Sequence, residues 1–376
     1  MTLDPYLTSS AACMGVVTYH HVIYPMLMAS QGQKKPANLV RIADDNLPTL
    51  AIIMPAFNEA DHILSKLRSI AQADYPLSKI EVLVGCDGCT DNTAMLARWA
   101  GEKYEGLVVR VFEFECNRGK VRVLNDLLKM SRQEISVMTD VSAILIPSAL
   151  HKIASHFADA QVGAVGGGYE LPRQFGTGQR AYSLYQKAIK IGESRIAGLV
   201  GAHGALYAIR TDLFDPLPID TVNDDFFVPV SIAAKGWRTV YDPDIRVVER
   251  DLTTDADDGR RRRRIGAGNL QQAVRLLPRI VRSGNIGLLF AFASGKALRT
   301  LMGPLICLCA ILLLASAASG SIVSAGLIAT GLLASVSRIG RYALNGHMQS
   351  MLGAFEYICG QHRQWKRVSS VPGGTR

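Results

Sequence analysis

The amino-acid sequence predicts an α/β domain built on a mainly parallel β-sheet and joined to transmembrane helices. Between residues 50 and 241, short runs of β-forming residues alternate with amphipathic helical segments, which is typical of a parallel sheet covered on both faces. Residues 300–337 carry no formal charge over 38 positions. Hydrophobic residues make up 48% of the chain and charged residues 19%, below the usual quarter, as expected when membrane segments dilute a more polar domain.

The N-terminal region, residues 1–45, is predicted to contain one membrane helix and a linker. Residues 6–29 carry no formal charge over 24 positions, and a helix of this length can cross ~30 Å of hydrocarbon. A hydrophobic helix lying on the membrane or on the protein is the alternative. Asp4 and the lack of Lys or Arg before the apolar run argue against a signal peptide, and Lys34, Lys35 and Arg41 place the following flank in the cytoplasm.

The central region, residues 46–282, is predicted to be one domain. Its strands are predicted at residues 50–54, 80–84, 107–114, 135–138, 162–165, 204–210 and 237–241. Apolar residues at helical spacing predict helices that begin after residues 58, 91, 119 and 147, and others over 178–197 and 226–234. Pro55 is expected to end the first strand and Asn58 to cap the helix after it, whereas Thr90 or Asp91 caps the next helix.

Two acidic positions mark the expected ligand-binding edge of this sheet. The strand that begins at Ile135 ends in Thr139-Asp140, and ligands of open α/β sheets bind at the carboxyl ends of the strands. Asp224 and Asp225 precede an apolar helix, where carboxylates also act as simple helix caps. The sequence therefore predicts a ligand-binding site around Asp140. For Asp224 and Asp225 two alternatives stay open, helix capping or a role in catalysis.

The C-terminal region, residues 283–376, is predicted to cross the membrane twice. A single helix over residues 300–337 would be about 57 Å long, so a helical hairpin that turns near Gly320 fits a bilayer better. Arg338 and Arg341 place the far end in the cytoplasm. The mixed composition of residues 286–298 predicts an amphipathic helix at the membrane surface, and residues 342–376 form a basic tail.

The formal net charge of +9 favours anionic partners such as lipid head groups, phosphorylated ligands or nucleic acid. Residues 260–264 are five arginines just before the membrane segments, where contact with lipid head groups is the simplest role. The predicted membrane hairpin argues against nucleic acid as a partner. Seven scattered cysteines argue for a reducing compartment, and the pair Cys86 and Cys89 lacks the second pair expected of a zinc site.

Six short motifs follow one another along the central region. They are Pro55-Ala-Phe-Asn-Glu59, Cys86-Asp-Gly-Cys-Thr-Asp91, Asn117-Arg-Gly-Lys120, Thr139-Asp140, Gly204-Ala-Leu-Tyr-Ala-Ile-Arg210 and Asn223-Asp-Asp225. In this order they resemble the motifs of membrane-bound family 2 glycosyltransferases of the cellulose, chitin and hyaluronan synthase branch. The resemblance covers roughly residues 48–272. It implies a cytoplasmic GT-A domain, a Rossmann-like fold with a mainly parallel mixed sheet.

The resemblance implies one set of residues for the nucleotide-sugar donor. Asp87 would bind the base of the nucleotide, because a carboxylate can accept a hydrogen bond from the imide N–H of uracil. The alternative is a purely structural role, since Asp-Gly is a common pair in turns. Lys120 stands at a helix start, where backbone N–H groups and the helix dipole favour a diphosphate; a solvated lysine is the alternative. The implied donor-binding residues are Pro55, Ala56, Asn58, Glu59, Asp87, Lys120, Asp140 and Arg264.

Asp140 matches the first acid of the Asp-x-Asp element with which this family binds a divalent metal. Mg²⁺ or Mn²⁺ takes one or two protein carboxylates and completes its shell with diphosphate oxygens and water. Ser142 replaces the second acid, which leaves one direct carboxylate. The resemblance also makes Asp225 the general base that deprotonates the acceptor, with Asp224 and His203 as further residues on the acceptor side.

The resemblance thus predicts inverting transfer of a sugar from a nucleotide-sugar, expected to be a UDP-sugar, to a saccharide or lipid-linked acceptor in exopolysaccharide or cell-surface glycan synthesis. One alternative is a polyprenyl-phosphate glycosyltransferase, whose acceptor needs little base catalysis. The other is a degenerate subunit that lacks activity. Cys86 and Ser142 are the basis for this alternative, because each stands where the family commonly has an acidic residue. No Trp directly follows the five arginines of residues 260–264, unlike in the Gln-x-x-Arg-Trp motif of processive synthases. The expected location is the inner or plasma membrane, with membrane lipid and an export or synthase subunit as partners.

Overall fold

A computed structural model describes residues 4–32, 42–170, 177–249 and 255–360. The strands are β1 (Leu50–Ala56), β2 (Ile80–Asp87), β3 (Val108–Phe114), β4 (Ile135–Thr139), β5 (Ala143–Leu145), β6 (Val162–Glu170), β7 (Leu206–Arg210) and β8 (Arg238–Glu249). They form one sheet in the order β3-β2-β1-β4-β7-β6-β8-β5. The end of the predicted basic tail lies outside the described residues.

The sheet is mixed and mainly parallel, as predicted. β3, β2, β1 and β4 pair in parallel, and β8 is parallel to β6. β7 runs antiparallel between β4 and β6, and the short strand β5, which the sequence did not indicate, is antiparallel to β8. The carboxyl ends of β1, β2 and β4 therefore meet at one edge of the sheet.

Helices cover both faces of the sheet and extend beyond it. The described helices are α1 (Pro5–Thr18), α2 (Tyr24–Gly32), α3 (Ala60–Ala71), α4 (Thr93–Lys103), α5 (Lys120–Met130), α6 (Ala149–Phe157), α7 (Thr177–Ile196), α8 (Asp224–Ala234), α9 (Asp255–Ser283), α10 (Ile286–Phe292), α11 (Leu298–Ala318), α12 (Ile322–Val336) and α13 (Arg338–Ile358). π-helical turns at Tyr19–Ile23 and Ala293–Ala297 join α1 to α2 and α10 to α11.

The apolar core has one layer on each side of the sheet. Successive side chains of a strand point to opposite faces, so Ile52 packs in the layer beneath α3, α4 and α6, whereas Ile53 packs in the layer beneath α5 and α8. All seven residues of β1 are buried. This buried central strand fixes the positions of the loops that follow β1, β2 and β4.

Several element boundaries differ from the sequence prediction. Pro55 does not end β1 but pairs with Gly85 in the parallel register. Asn58 does not cap α3 either; it has φ 54°, a conformation that Asn tolerates, and Glu59 takes the cap position. Asn92, rather than Thr90 or Asp91, directly precedes α4. β8 continues beyond residue 242 because a bulge shifts its register against β6.

The described residues contain one helix, Ile286–Ala318, that is long and apolar enough to cross a membrane alone. α11 ends just before Gly320 at φ 96°, so the hairpin turn lies where predicted. α12 has 15 residues, about 22 Å, and meets α13 at 98°; the two count as a second candidate only if together they form one span. The predicted N-terminal crossing does not meet the same criterion.

Residues 286–298 do not form the predicted helix on the membrane surface. Leu288, Ala291 and Phe292 are fully buried in the layer that also contains Leu276 and Ile280 of α9. The apolar core thus continues across the predicted domain boundary at residue 282. The reason is that Leu288 and Phe292 pack on the sheet domain, whereas Ile286 and Phe290 are the exposed large apolar residues of this segment.

The five arginines lie within the single helix α9 rather than in a separate loop. α9 packs against α13, and glycines allow the two backbones to approach closely. A Cβ placed on Gly353 would lie 1.9 Å from the carbonyl oxygen of Arg263, and one on Gly266 would lie 2.4 Å from that of Ser350. This contact fixes the arginine segment against a helix of the C-terminal region.

Candidate functional site

The three carboxylates singled out in the sequence converge at the sheet edge. Asp140 follows β4, and Asp224 and Asp225 form the first turn of α8. Gly204 lies between the two elements: a Cβ at this position would lie 3.5 Å from Oδ2 of Asp225 and 4.0 Å from Oδ2 of Asp140. The carboxylates of Asp140 and Asp225 therefore face the same small space, bordered by a residue without a side chain.

Lys120 links the carboxylates on the two sides of this space. Its Nζ lies 3.1 Å from Oδ1 of Asp140 and 3.5 Å from Oδ1 of Asp224. Burial disfavours its ammonium form, but the charges of Asp140, Asp224 and Asp225 prevail and hold the pKa of Lys120 above its ordinary value. Lys120 is therefore a fixed cation where the departing diphosphate of a donor would need one.

Asp224 and Asp225 have different environments despite being adjacent. Asp224 is buried and accepts a hydrogen bond of 2.8 Å from the hydroxyl of Tyr207 in addition to its ion pair with Lys120. Asp225 is half-buried, and burial together with the charge of Asp224 raises the pKa of its carboxyl. A general base works best when its pKa lies nearer the working pH, so Asp225 suits proton transfer and Asp224 suits a supporting role.

Asp87 is placed differently from the expected base-reading residue. Its side chain is fully buried, and its carboxylate accepts hydrogen bonds from the backbone N–H groups of Arg118 at 2.9 Å and Gly119 at 2.8 Å. Gly119 has φ 92° and directly precedes Lys120. Asp87 thus holds the turn that presents Lys120, and its carboxylate has no exposed surface for a base.

The first two motifs interlock at the ends of the neighbouring strands β1 and β2. The backbone N–H of Thr90 donates to Oδ1 of Asn58 at 2.8 Å, and the backbone N–H of Ala60 donates to Oδ2 of Asp91 at 3.0 Å. Glu59 is half-buried, and its backbone N–H donates to Thr93. The side chains of Pro55 and Ala56 are buried in the sheet, whereas those of Phe57, Asn58 and Glu59 are partly exposed at the loop.

Cys86 and Cys89 belong to this loop rather than to a metal centre. The thiol of Cys89 accepts a hydrogen bond from the backbone N–H of Asn58 at 3.4 Å, and its hydrogen bond with Cys86 lowers its pKa to about 7. Within the described part of the chain, no group of three His, Cys, Asp or Glu side chains could hold a metal ion. The pair lies within this loop, and its role as a substitution in a nucleotide-binding loop stays a prediction.

Arg264 and His203 lie at the periphery of the carboxylate cluster. Arg264 is exposed on α9 and interacts electrostatically with Asp225 and Asp140. His203 stacks on Tyr169 with ring centroids 3.8 Å apart. Burial, assisted by neighbouring cations, holds the pKa of His203 well below its ordinary value, so the ring is neutral. Both residues thus lie beside the expected site, Arg264 as a cation and His203 as a neutral ring.

Sequence reasoning missed two buried residues that support the carboxylates. Lys66 has no exposed surface; its Nζ donates to Oγ1 of Thr139 at 2.7 Å and to the carbonyl oxygen of Ala143, on either side of Asp140. Its position among Ile63, Leu67 and Ile70 on the apolar face of α3 is a signal that could have revealed it. Tyr207 carries no such signal, because it only continues the apolar pattern of β7.

The residues present fit a divalent ion held jointly with a nucleotide. The side chain of Asp140 is 44% exposed and offers one carboxylate at the sheet edge. Mg²⁺ and Mn²⁺ commonly bind through one or two carboxylates together with phosphate oxygens and water. The described residues provide this single-carboxylate arrangement and do not provide an all-protein metal cage.

A mixed α/β sheet of this order, with acidic residues and a lysine at the carboxyl ends of its strands, defines the class of GT-A glycosyltransferases, which act on nucleotide-sugar donors in glycan synthesis. Residues 48–267 match the family described as "Glycosyltransferase like family 2", and the chain belongs to this family. The family assignment expected from the six motifs is thereby confirmed, and the protein is an enzyme of this kind.

Similar proteins include one solved structure that matches nearly the whole chain. The mannosyltransferase PcManGT from Pyrobaculum calidifontis, in complex with GDP-Man and Mn²⁺, has a TM-score of 0.79 and 25% identity, over 94% of this chain and 99% of that one. The poly-beta-1,6-N-acetyl-D-glucosamine synthase of Staphylococcus epidermidis is 22% identical over 58% of this chain and 53% of that protein. The glycosyltransferase AglE of Haloferax volcanii is 29% identical over 33% of this chain and 40% of that protein. The chain thus spans about half or less of these two curated relatives.

Proposed function

We propose that this protein transfers a sugar, with inversion, from a nucleotide-sugar to a hydroxyl group of a saccharide or lipid-linked acceptor. The observation that carries the proposal is the position of Asp225 opposite Asp140 across Gly204. This arrangement supports a donor anchored on the Asp140 side and an acceptor that approaches from the Asp225 side.

In the proposed reaction the acceptor oxygen attacks the anomeric carbon while the bond from that carbon to the diphosphate oxygen breaks. Asp225 takes the proton of the acceptor hydroxyl, and the nucleoside diphosphate leaves with the electron pair of the broken bond. Attack and departure on opposite sides invert the configuration. Lys120 and Arg264 supply positive charge at the leaving diphosphate, and Asp224 with Tyr207 holds Lys120 in place.

Asp140 would hold a divalent metal ion that binds with the donor and neutralises the diphosphate. The Mn²⁺ in the Pyrobaculum structure supports this assignment, as does the single exposed carboxylate of Asp140. The choice between Mg²⁺ and Mn²⁺ is part of the proposal that the titration below tests. Ser142 leaves the rest of the coordination shell to phosphate and water.

Two observations bear on the base of the nucleotide-sugar donor. A UDP-sugar was expected because Asp87 would read uracil, but the buried carboxylate of Asp87 accepts from backbone N–H groups instead. The Pyrobaculum relative contains GDP-Man. A UDP-sugar stays our prediction, and both bases belong in the first experiment.

The apolar helix Ile286–Ala318 supports attachment to the plasma or inner membrane with the catalytic domain in the cytoplasm. The described residues offer one or two candidate membrane helices, too few to form a channel for a polymer, so we expect export to require a separate protein. Contact with membrane lipid follows from the same helix.

The decisive experiment measures UDP or GDP release by the purified full chain in detergent, across a panel of nucleotide-sugars, with Mn²⁺ and with EDTA. We expect release with one donor class, loss of release with EDTA, and loss in Asp225→Asn. Activity that survives in Asp225→Asn would favour a polyprenyl phosphate acceptor, because a phosphate needs little base assistance. Failure to release either nucleotide from any donor would overturn the proposal.

A further inference from the structure

A cavity of about 490 Å³ lies beside the carboxylate cluster, within the size range of small-molecule sites. Its walls come from α7, α9, α13, the N-terminal helix and the π-helical turn of the Ile286–Ala318 helix. Three of these walls thus belong to the segments outside the sheet domain, including the helix Ile286–Ala318, which is long and apolar enough to cross a membrane.

One loop, residues 201–204, connects the cavity to the catalytic carboxylates. At its start, a Cβ on Gly201 would lie 3.2 Å from Nζ of Lys296, which lines the cavity. At its end, Gly204 faces Asp225. Three residues of extended chain reach at most about 11 Å, so the cavity lies within that distance of the glycine that faces Asp225. Lys190, another lining residue, donates to the carbonyl oxygen of Ala202 at 3.0 Å.

The cavity carries an excess of positive charge. Its described lining contains five cations and two carboxyl groups: Lys190, Arg261, Arg262, Lys296 and Arg299, with Glu193 and Asp258. Asp258 is paired with Arg262 at 2.7 Å. Glu193 accepts a hydrogen bond of 2.6 Å from Tyr24, and burial raises the pKa of its carboxyl. The remaining cations favour a ligand with an anionic group.

The rest of the lining is aromatic and apolar. The ring of Tyr182 lies 6.4 Å from that of Tyr185 and 6.0 Å from that of Tyr342, with Ile189 and Ile339 also in the lining. Arg299 hydrogen-bonds to the hydroxyl of Tyr182, so the cationic and apolar parts adjoin. Such a surface fits an amphiphile, with its anionic group at the arginines and its chain along the rings.

The cavity is separate from the expected donor site. Among the lining residues that the structure describes are none of Asn58, Asp87, Lys120 and Asp140. These residues lie at the ends of β1, β2 and β4 and at the start of α5, on the other side of Asp225. The cavity is therefore positioned to approach the reacting carbon from the acceptor side.

We propose that this cavity binds the acceptor, and that the acceptor is a lipid-linked saccharide with a phosphate group between lipid and sugar. The phosphate contacts Lys296, Arg299 and Arg261, the lipid chain lies along the tyrosines, and the sugar hydroxyl reaches Asp225. The hydroxyl oxygen then bonds to the anomeric carbon, its proton passes to Asp225, and the nucleoside diphosphate leaves. This inference rests on the proposed function, because it assigns the acceptor of that same transfer.

The test uses the purified full chain in detergent and three probes: farnesyl phosphate, farnesol and inorganic phosphate. Binding is measured by microscale thermophoresis. We expect farnesyl phosphate to bind at least about tenfold more tightly than either fragment, since each fragment makes only part of the contacts. Arg299→Gln and Arg261→Gln should each weaken farnesyl phosphate binding by about tenfold, through loss of a charge-assisted contact.

Arg338→Gln is the matched control, because Arg338 is exposed on α13 and is not part of the described lining. It should bind farnesyl phosphate as the wild type does. Equal binding of farnesol would show an apolar cavity only, and equal binding of inorganic phosphate a free-phosphate site only; either result overturns the inference, as does unchanged binding in both cavity variants.

Nucleotide release separates this inference from the proposed function. A wild-type protein that releases UDP or GDP from a donor but does not bind farnesyl phosphate refutes only the lipid-linked acceptor. A protein that binds farnesyl phosphate yet releases neither nucleotide confirms the ligand of the cavity but refutes the sugar transfer, and with it the role of that ligand as an acceptor.

Discussion

The side-chain nitrogen of Lys120 lies 3.1 Å from Oδ1 of Asp140 and joins the end of β4 to the start of α5. The same nitrogen lies 3.5 Å from Asp224. The donor-side carboxylate and the first turn of α8 are therefore held by a shared cation. Substitutions around Lys120 should consequently affect the fold and the chemistry together, whereas those at Asp225 should affect mainly the chemistry.

Lys120→Met should reduce nucleotide release at least about 100-fold and lower the free energy of unfolding by about 3 kcal/mol, because it leaves the buried Asp224 without its ion pair. Release assays and thermal unfolding in detergent measure the two effects. Lys129→Met, an exposed position near the end of the same helix, is the control and should match the wild type. Unchanged thermal stability in Lys120→Met would contradict the assigned ion pair.

Asp225→Asn should lower kcat/KM by about 10²–10⁴ without weakening nucleotide binding, since it removes only the proton acceptor. Burial raises the pKa of the Asp225 carboxyl, so its ionisation opposes folding as pH rises through that pKa. At pH 7 the Asn variant should therefore unfold at a higher temperature than the wild type, and this difference should vanish once the pH falls below the ordinary carboxyl pKa.

The pH dependence of the wild-type enzyme provides a second test of Asp225. The base acts when ionised, so kcat/KM should fall as pH decreases through the raised pKa, at a higher pH than for an ordinary Asp. Asp224→Asn, in contrast, should lower the unfolding temperature, because Asp224 accepts from Tyr207 and pairs with Lys120. A stabilised Asp224→Asn variant would contradict these assigned roles.

Gly204→Ala should abolish most activity while the fold stays intact. The added Cβ would lie 3.5 Å from Asp225 and 4.0 Å from Asp140, which are ordinary contact distances, yet it would occupy the space proposed for the reacting sugar. We expect at least a tenfold loss of kcat/KM, about 1.4 kcal/mol in the barrier, with an unchanged unfolding temperature. Gly15→Ala is the control, since a Cβ there meets nothing within 4 Å.

Ser142→Asp should restore the second acid of the family's metal element. A second carboxylate strengthens binding of a hard cation, so the Mn²⁺ concentration for half-maximal release should fall by about tenfold. Asp140→Asn should raise that concentration or abolish release. The readout is a Mn²⁺ titration of nucleotide release after treatment with EDTA, repeated with Mg²⁺. An identical titration for wild type and Ser142→Asp would mean that position 142 does not face the ion.

Local patterns in the sequence predicted the parallel strands and the position of Asp140 at their carboxyl ends, whereas the role of Asp225 followed from the family resemblance. Apolar runs with β-forming residues identified the parallel strands, and parallel strands end at one edge. Asp140 follows such a run directly, and Asp225 begins an apolar helix. Strands and helix starts need no knowledge of distant contacts, but only the structure shows that Asp140 and Asp225 lie on opposite sides of Gly204.

Features that depend on distant contacts could not be predicted. Asp87 was expected to face a ligand, but its partners are backbone groups 31 and 32 residues further along the chain. The apolar residues of α10 predicted a helix that contacts lipid. In the structure, the ring of Phe292 in this helix lies 5.8 Å from that of Phe226 in the apolar core. In both cases the local pattern predicts the strand or helix, but tertiary packing determines what its side chains contact.

The apolar layer shared by α9 and α10 has a consequence for how the enzyme can be divided. Phe292 and Leu288 are fully buried against Leu276 and Ile280, so a fragment that stops at residue 282 would lack part of its own interior. Such a fragment would expose apolar side chains of α8 and α9 and would tend to aggregate. The sheet domain and the start of the Ile286–Ala318 helix therefore share one apolar interior, and cleavage near residue 282 should destabilise the sheet domain.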